Sequence, residues 1–450
     1  MADGLNQKLF DFINNSPSVY HVVENLRREL AENNYTELSE AKQWKLQEGG
    51  KYFFTRNGSS IIAFRIPEGQ PSGFMISAAH SDSPTFKIKE NPEKKGAHYV
   101  QLNTEKYGGM LMASWFDRPL SVAGRITVRE DGKIVTKLVN VDRDLLIIPS
   151  VAIHMNRDAN NGMKYQANVD TLPLIGSENA SGKLMQEVAR AAGVGEKNIL
   201  GTDLFLCCRQ KGTELGIDGE YIVSPKLDDL ECALGCMSGF ISADDSQSIS
   251  VCCVFDNEEV GSETKQGAAS SLLRDTLRRI CLALGYNEEI YQMLLAQSLL
   301  VSADNAHAQH PNHPEYADGD NCPYMNQGVV IKYNANQRYA TDAVSAAVFE
   351  SICRDVGVPV QSFANRSDMA GGSTLGSIAG TLVPVRTVDI GLAQLAMHSA
   401  VETAGAKDFG YLTRAMEAFH SKSLSLIDGG IEIFPGVFPT SPEERISRYI

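Results

Sequence analysis

Several apolar runs of this chain stop abruptly at residues of metal-ligand type. GFMISAA runs into His80-Ser81-Asp82, and YIVSPKL is followed by Asp228-Asp229. SISVCCVF ends in Asp256-Asn257-Glu258-Glu259, SLLVSA in Asp304 with His307 close behind, and VDIGLAQLAM in His398. A single polar residue at a strand end is an ordinary turn former or cap. Five such endings that supply imidazoles and several carboxylates point to a shared site. Imidazole and carboxylate without thiolate suit Zn²⁺, Mn²⁺ or Co²⁺. Two such ions about 3.5–4 Å apart need one carboxylate between them. The donors suffice for that: each ion takes one His, one carboxylate of its own and a share of the bridge.

The remaining polar residues read as supports. In His80-Ser81-Asp82 the side chains at i and i+2 share one side of an extended chain, so Asp82 can accept the free ring N–H of His80. Glu258 and Glu259 diverge on an extended chain, so one binds metal while the other faces water as general base. Asp256 and Asn257 then form the turn that delivers the pair. Asp229 reads as a helix first-turn acid. His307, His310 and His313 recur every third residue, but Pro311 and Pro314 break any helix there, leaving at most His307 near the site. Gly371-Gly372-Ser373 reads as the opening of a short helix whose N–H groups can hold an anion, or as a tight turn.

These endings need a scaffold that brings strand ends together. After Pro225 the pattern alternates strand and helix: LDDLECALGCMSGF, SISVCCVF, SSLLRDTLRRICLALG, LLVSADNAHA, GVVIKYN, TDAVSAAVFESICRDVG and VRTVDIGL. Such alternation predicts an α/β fold, a mixed sheet with helices on both faces, with ligands gathered outside the carboxyl ends of its strands. Near the N-terminus Ser16-Pro17 reads as an N-cap and first helical residue, followed by Val19, Val22, Val23, Leu26 and Leu30 at helical spacing. Asn57-Gly58 predicts a hairpin between KYFFTR and SSIIAFRI, and Asp131-Gly132 predicts another. From about Lys89 to Tyr221 the texture changes. ENPEKKG reads as a charged turn, and SGKLMQEVARAA is the one clear helix in this stretch. We therefore expect a catalytic domain made of residues 1–88 plus 222–450, and an inserted β-rich domain over 89–221.

A chain of 450 residues is long enough for two cores. Its net charge of −14 lacks the basic face that nucleic acid or an anionic membrane surface requires. No apolar run reaches the ~18 residues of a membrane span, and the first residues do not read as a signal peptide. Nine cysteines without a C-x-x-C read as buried, reduced thiols of a cytoplasmic protein.

The motifs AAHSDSP, PKLDDLECA, DNEEVGS, SADNAHAQHPN, VIKYNANQRYAT and QLAMHSAVE, in this order, resemble the aspartyl aminopeptidase family of cytosolic dinuclear metallopeptidases. The family more usually has Thr in place of Ser81 and Met in place of Asn305. The resemblance implies a dinuclear-zinc aminopeptidase-like catalytic domain with an inserted oligomerisation domain. It implies that His80 and Asp304 hold one metal, Glu259 and His398 the other, and that Asp228 bridges them. Glu258 would be the general base and Asp82 would orient His80. Lys332 would face the acidic side chain of a peptide's N-terminal Asp or Glu. His154, in the insertion, would reach a neighbouring subunit's site within a homo-oligomer, a dodecamer built from dimers. A broad-specificity aminopeptidase, a deacylase, and a non-catalytic scaffold of the same fold remain as alternatives.

Overall fold

The computed structural model describes residues 2–435; residue 1 and positions 436–450 of the expected catalytic domain lie outside the described residues. The central element is a nine-stranded mixed sheet. Four parallel strands carry its middle: Ile249–Phe255, Phe74–His80, Leu299–Ala303 and Arg386–Gly391, in that spatial order. Their residues are buried almost throughout, as expected of strands covered on both sides. Neighbours in the vicinal pair Cys252-Cys253 enter different cores on opposite faces of the sheet. One face packs helices Val19–Glu32, Leu227–Ser242, Ala343–Asp355 and Asp408–His420. The other packs Leu272–Ala283 and Glu288–Ala296. The α/β class with helices on both faces is as expected.

The registers matter for the site. Phe255 lies opposite His80 and Ala303 opposite Ile390, so these strands finish side by side at one edge. A five-stranded sheet, which contains Tyr221–Ser224, Ala393–Leu395 and Glu402–Gly405, lies beyond that edge. A separate six-stranded antiparallel sheet is formed by strands between Thr85 and Cys208 and has its own core.

Local expectations are met where the turn chemistry is strong. Asn57 and Gly58 have φ of 58° and 63°, and Asp131 and Gly132 have φ of 48° and 75°, the left-handed pairs such hairpins require. Others are corrected. Helix Val19–Glu32 is preceded by Ser18 as N-cap, two residues after the predicted Ser16. ENPEKKG is not a turn. All of it but Gly96 lies within strand Thr85–Lys95, whose register shifts between Ile88 and Glu93, so Pro92 falls where no ladder N–H is needed.

The core also contains a pH-sensitive group. His420 is fully buried, with Nε2 2.9 Å from the Ser77 hydroxyl. Burial, then Arg65, hold its pKa well below 6.5. The unfolded chain therefore binds a proton that the folded chain refuses, and stability is lost as pH falls below about 6.5. Thermal unfolding should lose about 2 kcal/mol between pH 7 and pH 5 from this group. His420→Gln should flatten that slope; an unchanged slope would assign the acid sensitivity elsewhere.

Candidate metal centre

His80 closes strand Phe74–His80, and Asp304 follows Leu299–Ala303. Asp228 enters helix Leu227–Ser242 with a non-helical backbone (φ −81°, ψ 109°), which turns its carboxylate away from the helix path. His398 follows the short strand Ala393–Leu395 at φ 66°. Glu258 and Glu259 are not on extended chain. They form a one-turn 3₁₀ helix, Glu258–Val260, flanked by Asn257 at φ 64° and Gly261 at φ 98°. The turn, rather than the alternation of a strand, presents the two carboxylates, whose donor atoms lie within 4.8 Å of each other and of His80.

Donor atoms of His80, Asp228, Asp229 and Asp304 lie within 4.8 Å of one another, as do those of Asp228, Glu259 and His398, and those of His80, Glu258 and Glu259. Asp228 Oδ1 lies 3.6 Å from His80 Nε2, and Asp228 Oδ2 lies 3.4 Å from His398 Nε2. Glu259 Oε2 is 3.3 Å from the same His398 nitrogen. These gaps exceed a hydrogen bond, but four donors held 2.0–2.1 Å from a tetrahedral ion stand about 3.3 Å apart. Buried Asp228 Oδ1 and Glu259 Oε1 have no hydrogen-bond partner among the described residues. Orphaned carboxylate oxygens at this spacing fit a divalent cation.

The charges agree. Burial would lower the His80 pKa, but Asp229, Asp228 and Asp82 raise it well above 6.5. Burial and the negative charges of Asp304, Asp82 and Asp228 push Glu258 up to about 8. Glu259 is raised well above 4.5 by burial and Asp228. A cluster that holds protons this tightly is short of positive charge.

The sequence model of the family described as "Aminopeptidase I zinc metalloprotease (M18)" matches residues 12–420. The chain belongs to the M18 aminopeptidase family. A "Probable M18 family aminopeptidase 2" of Clostridium acetobutylicum is 46% identical over 424 residues, spanning 92% of this chain and 98% of that protein. The structure titled "Cryo-EM structure of the Ape4 and Nbr1 complex" superposes with a TM-score of 0.90 at 36% identity, covering 93% of this chain and 86% of that one. The S. cerevisiae mApe1 dodecamer gives a TM-score of 0.81 at 30% identity, covering 92% and 95%. These relationships make the chain an M18 zinc metalloaminopeptidase with the family's two-domain fold.

In this M18 aminopeptidase, eight of the nine predicted site residues lie in or beside the cluster. His80 Nδ1 faces the Asp82 main-chain carbonyl at 3.0 Å, with the Asp82 carboxylate at 3.4 Å, so the expected His80–Asp82 contact runs mainly through the backbone. The Asp82 carboxylate instead accepts the N–H groups of Glu258 (3.1 Å) and Glu259 (3.2 Å). Lys332 is 2% exposed; its ammonium donates to Asn305 O at 2.9 Å and stands 3.9 Å from Asp304. His154 is apart from the cluster, on an exposed turn beside the exposed Val151, Ile153 and Met155.

Three expectations about neighbouring residues are corrected. Asp229 is no solvated helix-start acid: it is fully buried, its backbone is not helical, and it accepts the His80 N–H at 3.1 Å. Gly371–Ser373 do not open a helix, because the next one is Leu375–Ala379 behind Thr374. His310 and His313 join His307, Arg366 and Met397 in lining a cleft of about 330 Å³ next to His398, although none of the three histidines belongs to a metal cluster among the described residues.

Sequence reasoning missed Glu402. Its buried carboxylate accepts the N–H of Asp228 at 2.9 Å and that of His398 at 2.7 Å, fixing two donors at once. The E in QLAMHSAVE was visible, but nothing in the pattern said that it points back.

Proposed function

We propose that this chain removes N-terminal Asp or Glu from peptides with two divalent ions, Zn²⁺ or alternatively Mn²⁺ or Co²⁺. The observation that supports two ions is Asp228, whose two oxygens face different histidines, His80 and His398. His80 and Asp304 would hold one ion, Glu259 and His398 the other, with Asp228 between. Bound there, the ions would polarise the scissile carbonyl and make water nucleophilic at neutral pH. Glu258 takes the proton of the attacking water and delivers one to the leaving amine. A divalent charge in the cluster counteracts the burial and neighbouring carboxylates that raise Glu258, returning it to its basic form. Asp82 and Glu402 hold the main chain that presents these groups.

Lys332 supports an acidic substrate. Its ammonium has three donors and spends one on Asn305, and it stands beside the Asp304 ligand. A broader aminopeptidase is favoured by the same residue's burial, because Lys332 is already engaged. We further propose a homo-oligomer, probed first as a dodecamer like that of mApe1, in which His154 reaches a neighbouring subunit. The exposed Ile153 and Met155 around it support such a contact. The inserted 89–221 unit would carry that contact. All nine cysteines are unpaired, which supports a reducing compartment such as the cytoplasm. No described helix is long and apolar enough to cross a membrane.

Hydrolysis of Asp-, Glu-, Leu- and Ala-anilides, with N-acyl amino acids as controls, tests this reading. The assay uses metal-stripped protein with Zn²⁺, Mn²⁺ or Co²⁺ restored. Acidic anilides should be turned over best. Lys332→Ala should lower kcat/KM for them by roughly 1.5–3 kcal/mol, about tenfold to a hundredfold, and spare Leu-anilide. An equal fall for acidic and neutral substrates would leave the broader reading.

A further inference from the structure

We infer that Tyr107, supplied by the six-stranded sheet, is a positioning residue of the catalytic loop: its hydroxyl fixes Asp82, and Asp82 fixes the turn that presents Glu258 and Glu259. The inference rests on the proposed roles of those two glutamates.

Asp82 is 3% exposed, and its carboxylate has three donors around it. Oδ2 accepts the Tyr107 hydroxyl at 2.6 Å and the Glu259 N–H at 3.2 Å, while Oδ1 accepts the Glu258 N–H at 3.1 Å. The Tyr107 bond is the shortest of the three. The same hydroxyl accepts from Asn257 Nδ2 at 2.8 Å. Asn257 is the left-handed residue that starts the glutamate turn, and its Oδ1 is taken by Thr264 (2.9 Å) and Gln266 (2.8 Å). The phenol therefore donates to one end of the clamp and accepts from the other. Removing its oxygen leaves a buried carboxylate short of a donor and a half-buried amide short of an acceptor, and both flank the turn.

The surrounding chain shows why this residue comes from the inserted sheet. Tyr107 pairs with Thr85, three residues after Asp82, so the sheet begins where the catalytic strand ends. Gly108 follows at φ 76°, and a Cβ there would stand 3.1 Å from that of Glu259. Gly109 O then faces His398 Nδ1. Three consecutive residues thus touch Asp82, Glu259 and His398 in turn. The Tyr107 ring packs edge-on against Phe205 at 5.8 Å, within its own sheet.

The test compares Tyr107→Phe, Phe205→Leu and Asn257→Ala, with Glu258→Gln in parallel, all loaded with zinc. Tyr107→Phe should lower kcat about tenfold to a hundredfold, with KM within about twofold, unchanged metal content and a Tm lowered by no more than a few degrees. Phe205→Leu, which loosens the ring but keeps the hydroxyl, should retain kcat. The double variant Tyr107→Phe/Asn257→Ala should be no slower than the worse single variant, because both act through one clamp. Full activity in Tyr107→Phe, an equal loss in Phe205→Leu, or recovery with excess zinc would overturn the inference. A fully active Tyr107→Phe beside an inactive Glu258→Gln leaves the base assignment intact. An active Glu258→Gln overturns the base assignment instead.

Discussion

Glu258→Gln is expected to cut turnover by about 10²–10⁴-fold while the protein keeps its full metal content. Glu259→Gln is expected to lose metal from one site. The two residues are adjacent and their carboxylates share a crowded, buried space, yet their surroundings differ. Glu259 Oε2 lies 3.3 Å from His398 Nε2, at ligand spacing, and its Oε1 has no partner among the described residues. Glu258 makes no such approach to His398 among the described contacts, and its donor atom groups with those of His80 and Glu259. Glutamine keeps the shape of either side chain and removes the proton acceptor. At position 258 that would remove the proposed base; at 259 it would remove the proposed anionic ligand. Elemental analysis beside a steady-state assay separates the two outcomes. Equal metal content and equal residual activity in both variants would show that the glutamates do not divide the work.

Removing the metal should cost more than activity. In the stripped protein Glu258 is raised to about 8 by burial and by Asp304, Asp82 and Asp228, and Glu259 and Asp229 are raised as well, chiefly by burial. His80 is also raised, by Asp229, Asp228 and Asp82 against the effect of its burial. Each of these folded-state values exceeds the unfolded one, so the folded chain holds extra protons. Their stabilisation is complete at low pH and is lost as pH rises through the folded values. Asp228 has the opposite sign, held below its usual range by His398 and His80 despite burial, and acts only in stronger acid. The stripped protein should therefore lose stability as pH rises from about 5 to 8, on the order of 1.4 kcal/mol per pH unit from Glu258, with the other raised groups acting in the same direction and His420 opposing by about 2 kcal/mol below pH 7. Zinc at a hundred times its dissociation constant should restore about 2.7 kcal/mol. Thermal unfolding of stripped and reloaded protein at pH 5.5 and 8 measures both. A stripped protein that is more stable at pH 8 than at pH 5.5 would contradict the charge distribution described here.

The donors of the cluster were legible because each follows a strongly apolar run of the sequence, where a polar residue stands out. His80, Asp304 and the Glu258–Glu259 pair all follow strands of the central sheet, and parallel registers bring such ends together. What supports them was not legible, for a physical reason. Glu402, Asp229 and Tyr107 act through side-chain bonds to main-chain groups or carboxylates of other elements, and Tyr107 even belongs to another sheet. Periodicity carries no trace of such long-range bonds. Asp229 misled because a residue two places into a helical pattern normally points to solvent; here the first turn is not helical. The extended-chain argument for Glu258 and Glu259 used the wrong backbone, since Asn257 and Gly261 fold the pair into a tight turn.

The order of the donors along the chain also bears on how the protein comes to contain its metal. His80 and His398 lie near opposite ends of the polypeptide, and Asp228, Glu259 and Asp304 fall between them. At about 5–20 residues per second, synthesis from residue 80 to residue 398 takes roughly a quarter of a minute to a minute. Throughout that interval no nascent segment carries the whole donor set, and a lone imidazole or carboxylate is a poor ligand. An ion held by the proposed donor set would therefore find all its ligands only after residue 398 is made, unlike the short contiguous ligand run of a zinc finger.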